Sequence, residues 1–409
     1  MTRAKKITFI VLLLLLAIII GYSLYMAFLG GGKILPTIIG PGATTTGGLV
    51  PAGPRGATTT GGPGAPTAGA LPTAGAIPQA TPGFYVPTPV DSLTTENVSY
   101  TSLSSAGDVR YHNPTDGKFY RIKSDGSIAA LSNQIFYNVQ KVTWAQNANK
   151  AVLEYPDGAK TIYNFDTNKQ VPLPKHWENF SFSPDSTQLA AKSVGLSPEN
   201  RWLITFNDDG TGTRAIEDLG ENQDKVTVDW SPSRQVIAFS KTGNPLGADR
   251  QQILMVGLNH ENFKGLTVEG LGFESKWSPT GQKLAYSVWS GRSDFEPELW
   301  IVNSYGDNIN TGRKTIKLNT WAKKCSFGDD NTIFCAVPRT LPAGAGMSPS
   351  VNSSYDDFYK VDLRTGAKTL IPTGDVSYSA TSIYYDKAGN RLVFTDLFKA
   401  GIFEAKLNQ

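Results

Sequence analysis

The sequence predicts an all-β domain built as a seven-bladed β-propeller, with six or eight blades as alternatives, and three observations carry that prediction. A pattern of four short strands recurs across residues 90–409, with a period of about 40–50 residues. The copies share a tight turn, clearest in Trp277-Ser278-Pro279-Thr280-Gly281-Gln282-Lys283-Leu284-Ala285-Tyr286, Trp230-Ser231-Pro232-Ser233-Arg234-Gln235-Val236-Ile237-Ala238-Phe239 and Phe182-Ser183-Pro184-Asp185-Ser186-Thr187-Gln188-Leu189-Ala190-Ala191. The last copy ends after its third strand, while an unmatched strand stands ahead of the first copy. A ring closed by joining the two chain ends accounts for all three.

The chain begins with a short segment, 1–6, carrying Arg3, Lys5 and Lys6, expected to lie in the cytoplasm. An uncharged apolar run, 7–29, extends from Ile7 to Leu29. A helix needs roughly 20 apolar residues to cross the hydrocarbon layer. Basic residues ahead of the run favour export of the chain beyond it. The competing reading is a cleaved signal peptide, whose apolar stretch is usually about 7–15 residues with a small-residue cleavage site. The bulky Tyr25-Met26-Ala27-Phe28-Leu29 end favours an uncleaved, single-pass signal anchor.

Residues 30–89 are rich in Gly, Pro, Thr and Ala, and only Lys33 and Arg55 carry charge. Ala43-Thr44-Thr45-Thr46-Gly47-Gly48 recurs as Ala57-Thr58-Thr59-Thr60-Gly61-Gly62. Such a low-complexity stretch buries too little apolar surface to offset its ordering entropy. It is expected to be a disordered linker, spanning roughly 45 Å as a flexible coil. The triple threonines are candidate sites of O-linked sugar, with an undecorated spacer as the alternative.

Residues 90–409 form the expected propeller. In the copy spanning 271–319, a first strand, a, reaches Trp277, and Pro279 and Gly281 turn the chain into strand b, Lys283–Val288. A longer loop leads to strand c, Glu298–Val302, and a turn near Gly306 enters strand d, Thr315–Leu318. Aromatic and β-branched residues recur at each strand c, as in Phe119-Tyr120-Arg121-Ile122 and Phe358-Tyr359-Lys360-Val361, which supports strands. An open edge after the last strand c is avoided if Val90-Asp91-Ser92-Leu93-Thr94-Thr95 pairs with it as a fourth strand.

The Trp-Ser-Pro-x-Gly-x-x-Leu-Ala-Tyr turn and the x-Asp-Gly turns resemble the WD40-like repeats of the TolB C-terminal propeller, also found in prolyl-oligopeptidase-type peptidases. The resemblance spans roughly residues 90–409 and implies the fold. The chain departs from TolB in having an anchor and a linker in place of the N-terminal α/β domain. Its sixth copy, Cys325-Ser326-Phe327-Gly328, has also lost Trp and Pro. No segment remains to build a peptidase hydrolase domain.

Charge is nearly balanced, 38 basic against 35 acidic residues, a formal +3. That balance argues against a nucleic-acid partner. His112, His176 and His260 fall in different repeats and suggest no metal cluster, and no cofactor motif is present. There is no Gly-x-Ser-x-Gly elbow. Asn207-Asp208-Asp209-Gly210-Thr211 has half the look of a calcium loop but lacks its terminal glutamate; a turn is the simpler reading. Asp229 and Glu274 are the acidic candidates near the axis. The two cysteines, Cys325 and Cys335, are expected to face each other across an antiparallel pair, which in an exported domain favours a disulfide; two buried thiols are the alternative.

The b–c connections are the long, variable ones. Alternating strands put them on one face with the d–a connections. That face carries Trp289, Arg292, Phe295, Arg250, Arg339 and Met347, residue types that anchor protein contacts; insertions tolerated with their aromatics folded down are the alternative. The expected function is a membrane-tethered, extracytoplasmic scaffold that binds a protein or an envelope polymer without catalysis. The alternative is a lyase-, lactonase- or hydrolase-like enzyme using the central channel.

Overall fold

In the computed structural model, residues 87–261, 263–348 and 354–407 are described. The Ile7–Leu29 run and the linker through residue 86 lie outside the described residues. Among the described residues no helix is long and apolar enough to cross a membrane.

Strand β1 (Val90–Thr94) stands alone ahead of the first repeat. Blade 1 comes next with β2 (Ser99–Leu103), β3 (Val109–Asn113), β4 (Lys118–Ile122) and β5 (Ile128–Ala130). Blade 2 holds β6 (Lys141–Trp144), β7 (Lys150–Glu154), β8 (Lys160–Asn164) and β9 (Lys169–Leu173). Blade 3 holds β10 (Trp177–Phe182), β11 (Gln188–Val194), β12 (Arg201–Asn207) and β13 (Arg214–Asp218). Blade 4 holds β14 (Val226–Val228), β15 (Val236–Ser240), β16 (Gln251–Gly257) and β17 (Leu266–Val268). Blade 5 holds β18 (Leu271–Trp277), β19 (Lys283–Trp289), β20 (Glu298–Asn303) and the short β21 (Lys314–Thr315). Blade 6 holds β22 (Cys325–Asp329), β23 (Thr332–Pro338), β24 (Asp356–Asp362) and β25 (Lys368–Ile371). Blade 7 supplies β26 (Ala380–Asp386), β27 (Arg391–Asp396) and β28 (Ile402–Lys406).

Seven four-stranded antiparallel sheets result, and the seventh has the order β1-β28-β27-β26. Val90 stands opposite Ala405 and Thr94 opposite Ile402. The strand from the beginning of the domain therefore completes the last blade. This is the expected closure, and it covers an edge that would otherwise be open for pairing with another chain.

Each blade interface is one apolar cluster. Leu284, Tyr286 and Val288 of β19 pack toward blade 4, on Phe239, Ile253 and Met255. Ala285 between them faces blade 6, with Cys325, Ile333 and Val361. A strand buried on both faces reads as a continuous apolar run instead of an alternating one, as in Leu284-Ala285-Tyr286, Ile237-Ala238-Phe239 and Leu189-Ala190-Ala191. Trp277 stacks on Phe239 across the blade 4–5 seam, with centroids 5.2 Å apart.

The innermost strands have a free edge, and side chains of the neighbouring blade occupy it. Ser181 Oγ accepts the Trp230 N–H at 3.0 Å, and Asn179 Oδ1 accepts that of Val228 at 2.6 Å. Ser326 Oγ accepts from Tyr385 at 2.9 Å, and Glu274 Oε1 accepts from Lys323 at 2.7 Å. An unmatched backbone donor inside a protein is costly, so these contacts fix each blade against the next. Glu274 thus serves the seam between blades 5 and 6.

The tight a–b turn closes through Gly281 N–H to Ser278 O at 2.9 Å, with Gly281 at φ +73°. Arg234 and Ser186 take the same left-handed position in the sister turns, at φ +67° and +62°. Glycine is therefore favoured but not obligatory there. The Asn207–Thr211 segment is a turn: Gly210 N–H reaches Asn207 O at 2.9 Å, and Asp209 accepts the Thr211 N–H at 2.9 Å.

Candidate functional site

The b–c connections and the d–a connections emerge together on one face. In blades 3 to 6 the b–c connections run between β11 and β12, β15 and β16, β19 and β20, and β23 and β24; in blade 1 only Pro114–Gly117 separate β3 from β4. The face therefore carries long loops over one sector and a short turn beside the ring closure.

Of the six residues expected on this face, three gather at the blade 5–6 loops. Trp289 is half-buried and lies 6.0 Å from the Phe295 ring, which is 43% exposed. The blade 6 loop docks here, with Gly346 N–H donating to Phe295 O at 2.8 Å. A Cβ at Gly346 would come within 2.5 Å of Trp289 Cβ, so only glycine permits that approach. Met347 continues the loop, 54% exposed.

The three arginines are engaged within the fold. Arg250 Nε donates to the buried Glu269 carboxylate at 2.7 Å, and the Arg292 guanidinium donates to Glu269 O at 2.9 Å. Arg313 completes the Glu269 cluster at 3.0 Å. Arg339 sits apart, donating to Asp357 at 2.7 Å and to Ser377 Oγ at 3.0 Å. These guanidiniums hold loops in place, and Arg250 and Arg339 pair with carboxylates.

A further concavity on this face lies at the junction of blades 7 and 1. It is a cleft of about 650 Å³. Asn97 to Thr101 and Pro114 line one side, and Thr395 to Gly401 line the other. The inner strands contribute Thr381, Ser382 and Tyr384. The short Pro114–Gly117 turn leaves this side open, and the blade 7 loop walls the other.

Hydroxyls run through the cleft as a chain. Thr101 Oγ1 is 3.1 Å from Ser382 Oγ, Ser382 Oγ is 2.6 Å from Thr395 Oγ1, and Thr395 Oγ1 is 2.7 Å from Thr381 Oγ1. Tyr384 donates its phenol to Thr101 O at 2.6 Å. At the rim Leu397 and Phe398 are 50% and 53% exposed, and Tyr355 meets Phe398 at 5.7 Å.

The two charged side chains of the cleft are held by neutral groups. Asp396 accepts the N–H groups of Ser379, Phe398 and Lys399, at 2.5, 2.8 and 2.8 Å. The Lys399 ammonium lies 3.9 Å over the Tyr378 ring and donates to Ser377 O at 2.6 Å.

Ser99, in the cleft wall, stands 3.3 Å from Nδ1 of the buried His112. His112 Nε2 is 3.0 Å from Phe136 O. A carbonyl only accepts, so Nε2 carries the proton and Nδ1 presents its lone pair to Ser99. Burial pushes the His112 imidazole below its ordinary pKa, against the pull of the Phe136 carbonyl. The neutral ring is thus held in the tautomer that accepts a hydroxyl proton.

Along the channel, Asp229 is pushed up to about 7 by burial, with Lys276 opposing the shift. Both side chains keep part of their surface open to solvent, which softens that push. Among the described residues no three His, Cys, Asp or Glu side chains converge as a metal site requires. Cys325 and Cys335 lie directly opposite each other in β22 and β23, with Cα atoms 4.1 Å apart, joined by a disulfide.

No protein-family model matches the sequence, and no curated protein matches it. Solved structures do. The β-propeller domain of Cps50 (Swd1) from Myceliophteria thermophila superposes with a TM-score of 0.51 at 9% identity, covering 78% of this chain and all (100%) of that one. An oligogalacturonate lyase in complex with manganese gives 0.50 at 12% identity, covering 78% and 93%. TolB from Acinetobacter baumannii gives 0.44 at 13% identity, covering 65% and 63%. At these identities the first two likenesses establish the β-propeller fold and nothing of the ligand.

Proposed function

We propose that this chain is a membrane-tethered, extracytoplasmic propeller of the TolB-type WD40-like repeat class. It binds a protein or an envelope polymer through its b–c and d–a face and performs no chemistry. The cleft of about 650 Å³ between blades 7 and 1 carries this reading, because its size is that of a ligand site and exposed Phe398 and Leu397 stand at its rim. The apolar Ile7–Leu29 run and its preceding basic residues support the tether.

The test is binding of solubilised envelope material to the full-length chain. Phe398→Ala should weaken retention, and protease added to intact cells should digest the propeller. Retention indifferent to Phe398 and to every loop of this face would contradict the reading.

Ser99 with the neutral imidazole of His112 favours a second reading, an enzyme using a serine nucleophile. A Ser–His contact at 3.3 Å resembles the nucleophile–base pair of acyl-transfer sites. A fluorophosphonate that labels Ser99 in the wild type but not in His112→Gln would establish it. Absence of labelling returns the pair to a structural role.

A further inference from the structure

We propose that the cleft between blades 7 and 1 recognises a neutral sugar residue of a saccharide chain. This deepens the polymer side of the binding reading and rests on it. Three properties of the cleft point to such a ligand: its hydroxyls, its aromatic rim and the engagement of its two charged side chains within the fold.

The cleft offers hydroxyls. Three hydrogen bonds join Thr101, Ser382, Thr395 and Thr381 in a line. They use three of the four hydroxyl protons, leaving one proton and most of the lone pairs free. Either atom can donate in each of these bonds, so the line can reverse its direction. A ligand hydroxyl at its end is then met as donor or as acceptor. That suits a ligand whose polar groups are themselves hydroxyls.

It offers an aromatic face. Phe398 is 53% exposed and is buttressed edge-on by Tyr355 at 67° between planes. The C–H face of a pyranose is apolar and flat, and burying it on an exposed ring removes apolar surface from water. A hydroxyl line beneath an aromatic rim matches the two surfaces of a sugar ring.

It withholds charge. Asp396 and Lys399 are the charged residues in the lining. Asp396 is filled by three backbone N–H groups, and Lys399 by the Tyr378 ring and Ser377 O. A phosphate, carboxylate or ammonium ligand would have to draw Lys399 or Asp396 out of these contacts and would lose its own hydration. A peptide strand would need open backbone partners, and Tyr384 already occupies the Thr101 carbonyl.

The experiment is calorimetric titration of the full-length chain in detergent with neutral hexasaccharides: cellohexaose, maltohexaose, chitohexaose and mannohexaose. Hexagalacturonate serves as the charged probe. At least one neutral hexasaccharide should bind. Thr395→Val and Phe398→Ala should each weaken it about tenfold, and Tyr305→Ala, at an exposed c–d turn of the opposite face, should leave it unchanged. Unaltered melting temperatures show that both cleft variants fold; if Thr395→Val does not fold, Phe398→Ala decides alone. Binding of hexagalacturonate only, binding of none, or binding that survives both cleft variants overturns the proposal. If neutral sugars fail while envelope material still binds with dependence on Phe398, the sugar assignment falls and the binding reading stands. If envelope material also fails, both fall.

Discussion

Lys324 Nζ lies 2.7 Å from Asp356 Oδ1, with both side chains buried at the seam between blades 6 and 7. The second Asp356 oxygen accepts the Ala380 N–H at 2.6 Å. One carboxylate therefore joins the start of β24 to the start of β26, and it fixes Tyr355, its chain neighbour, beside Phe398. Burial lowers the Lys324 pKa and raises that of Asp356, while their mutual attraction opposes both shifts.

Asp356→Ala strands a buried ammonium and an amide together. It should cost about 3–5 kcal/mol in denaturant unfolding. The pair Lys324→Met with Asp356→Asn removes both charges and keeps an acceptor for Ala380. It should cost less than Asp356→Ala alone; an equal or larger loss would mean that the seam depends on the ion pair itself.

His112 sets a pH dependence. Its folded pKa is depressed by burial, so protons bind the unfolded chain first. Stability conferred by the neutral ring is present above the unfolded value of about 6.5. It declines as pH falls from there through the folded pKa, then levels. Urea midpoints measured from pH 8 to pH 4 should show this decline in the wild type and lack that component in His112→Gln.

The Cys325–Cys335 bridge closes a loop with a sequence separation of 10. Chain entropy gives it about 2–3 kcal/mol. Thiol alkylation under non-reducing conditions should leave both residues unmodified in protein recovered from the envelope, and reduction should lower the unfolding midpoint. Two free thiols in that material would contradict the disulfide.

The fold was legible because a blade repeats its own instructions. The Trp-Ser-Pro turn, the doubly buried Leu-Ala-Tyr strand and the unmatched Val90–Thr95 segment each have a local cause, and the register of β1 on β28 follows from them. The short β21 was less legible: Thr315–Leu318 reads as a strand, yet regular register is confined to Lys314 and Thr315. Beyond it Lys317 adopts φ +55° as a bulge, with Leu299 accepting the Ile316 N–H at 2.8 Å and donating to Leu318 O at 3.0 Å.

That the long b–c loops share one face was legible from strand alternation, but the cleft on that face was not. Thr101 and Ser382 meet only through ring closure, 281 positions apart, and no local pattern marks such a pair. Arg250, Arg292 and Arg339 have the composition of contact anchors, but Glu269 and Asp357 hold them in internal bonds. The exposed Leu397-Phe398 pair in a short loop was the available signal.

Hydrogen exchange of the full-length chain, with and without isolated envelope material, tests the binding account most directly. Occupancy of the cleft should slow exchange in residues 97–101, 381–384 and 395–401, with the a–b turns of the opposite face unchanged. Protection confined to those a–b turns, or none at saturating envelope material, would contradict it.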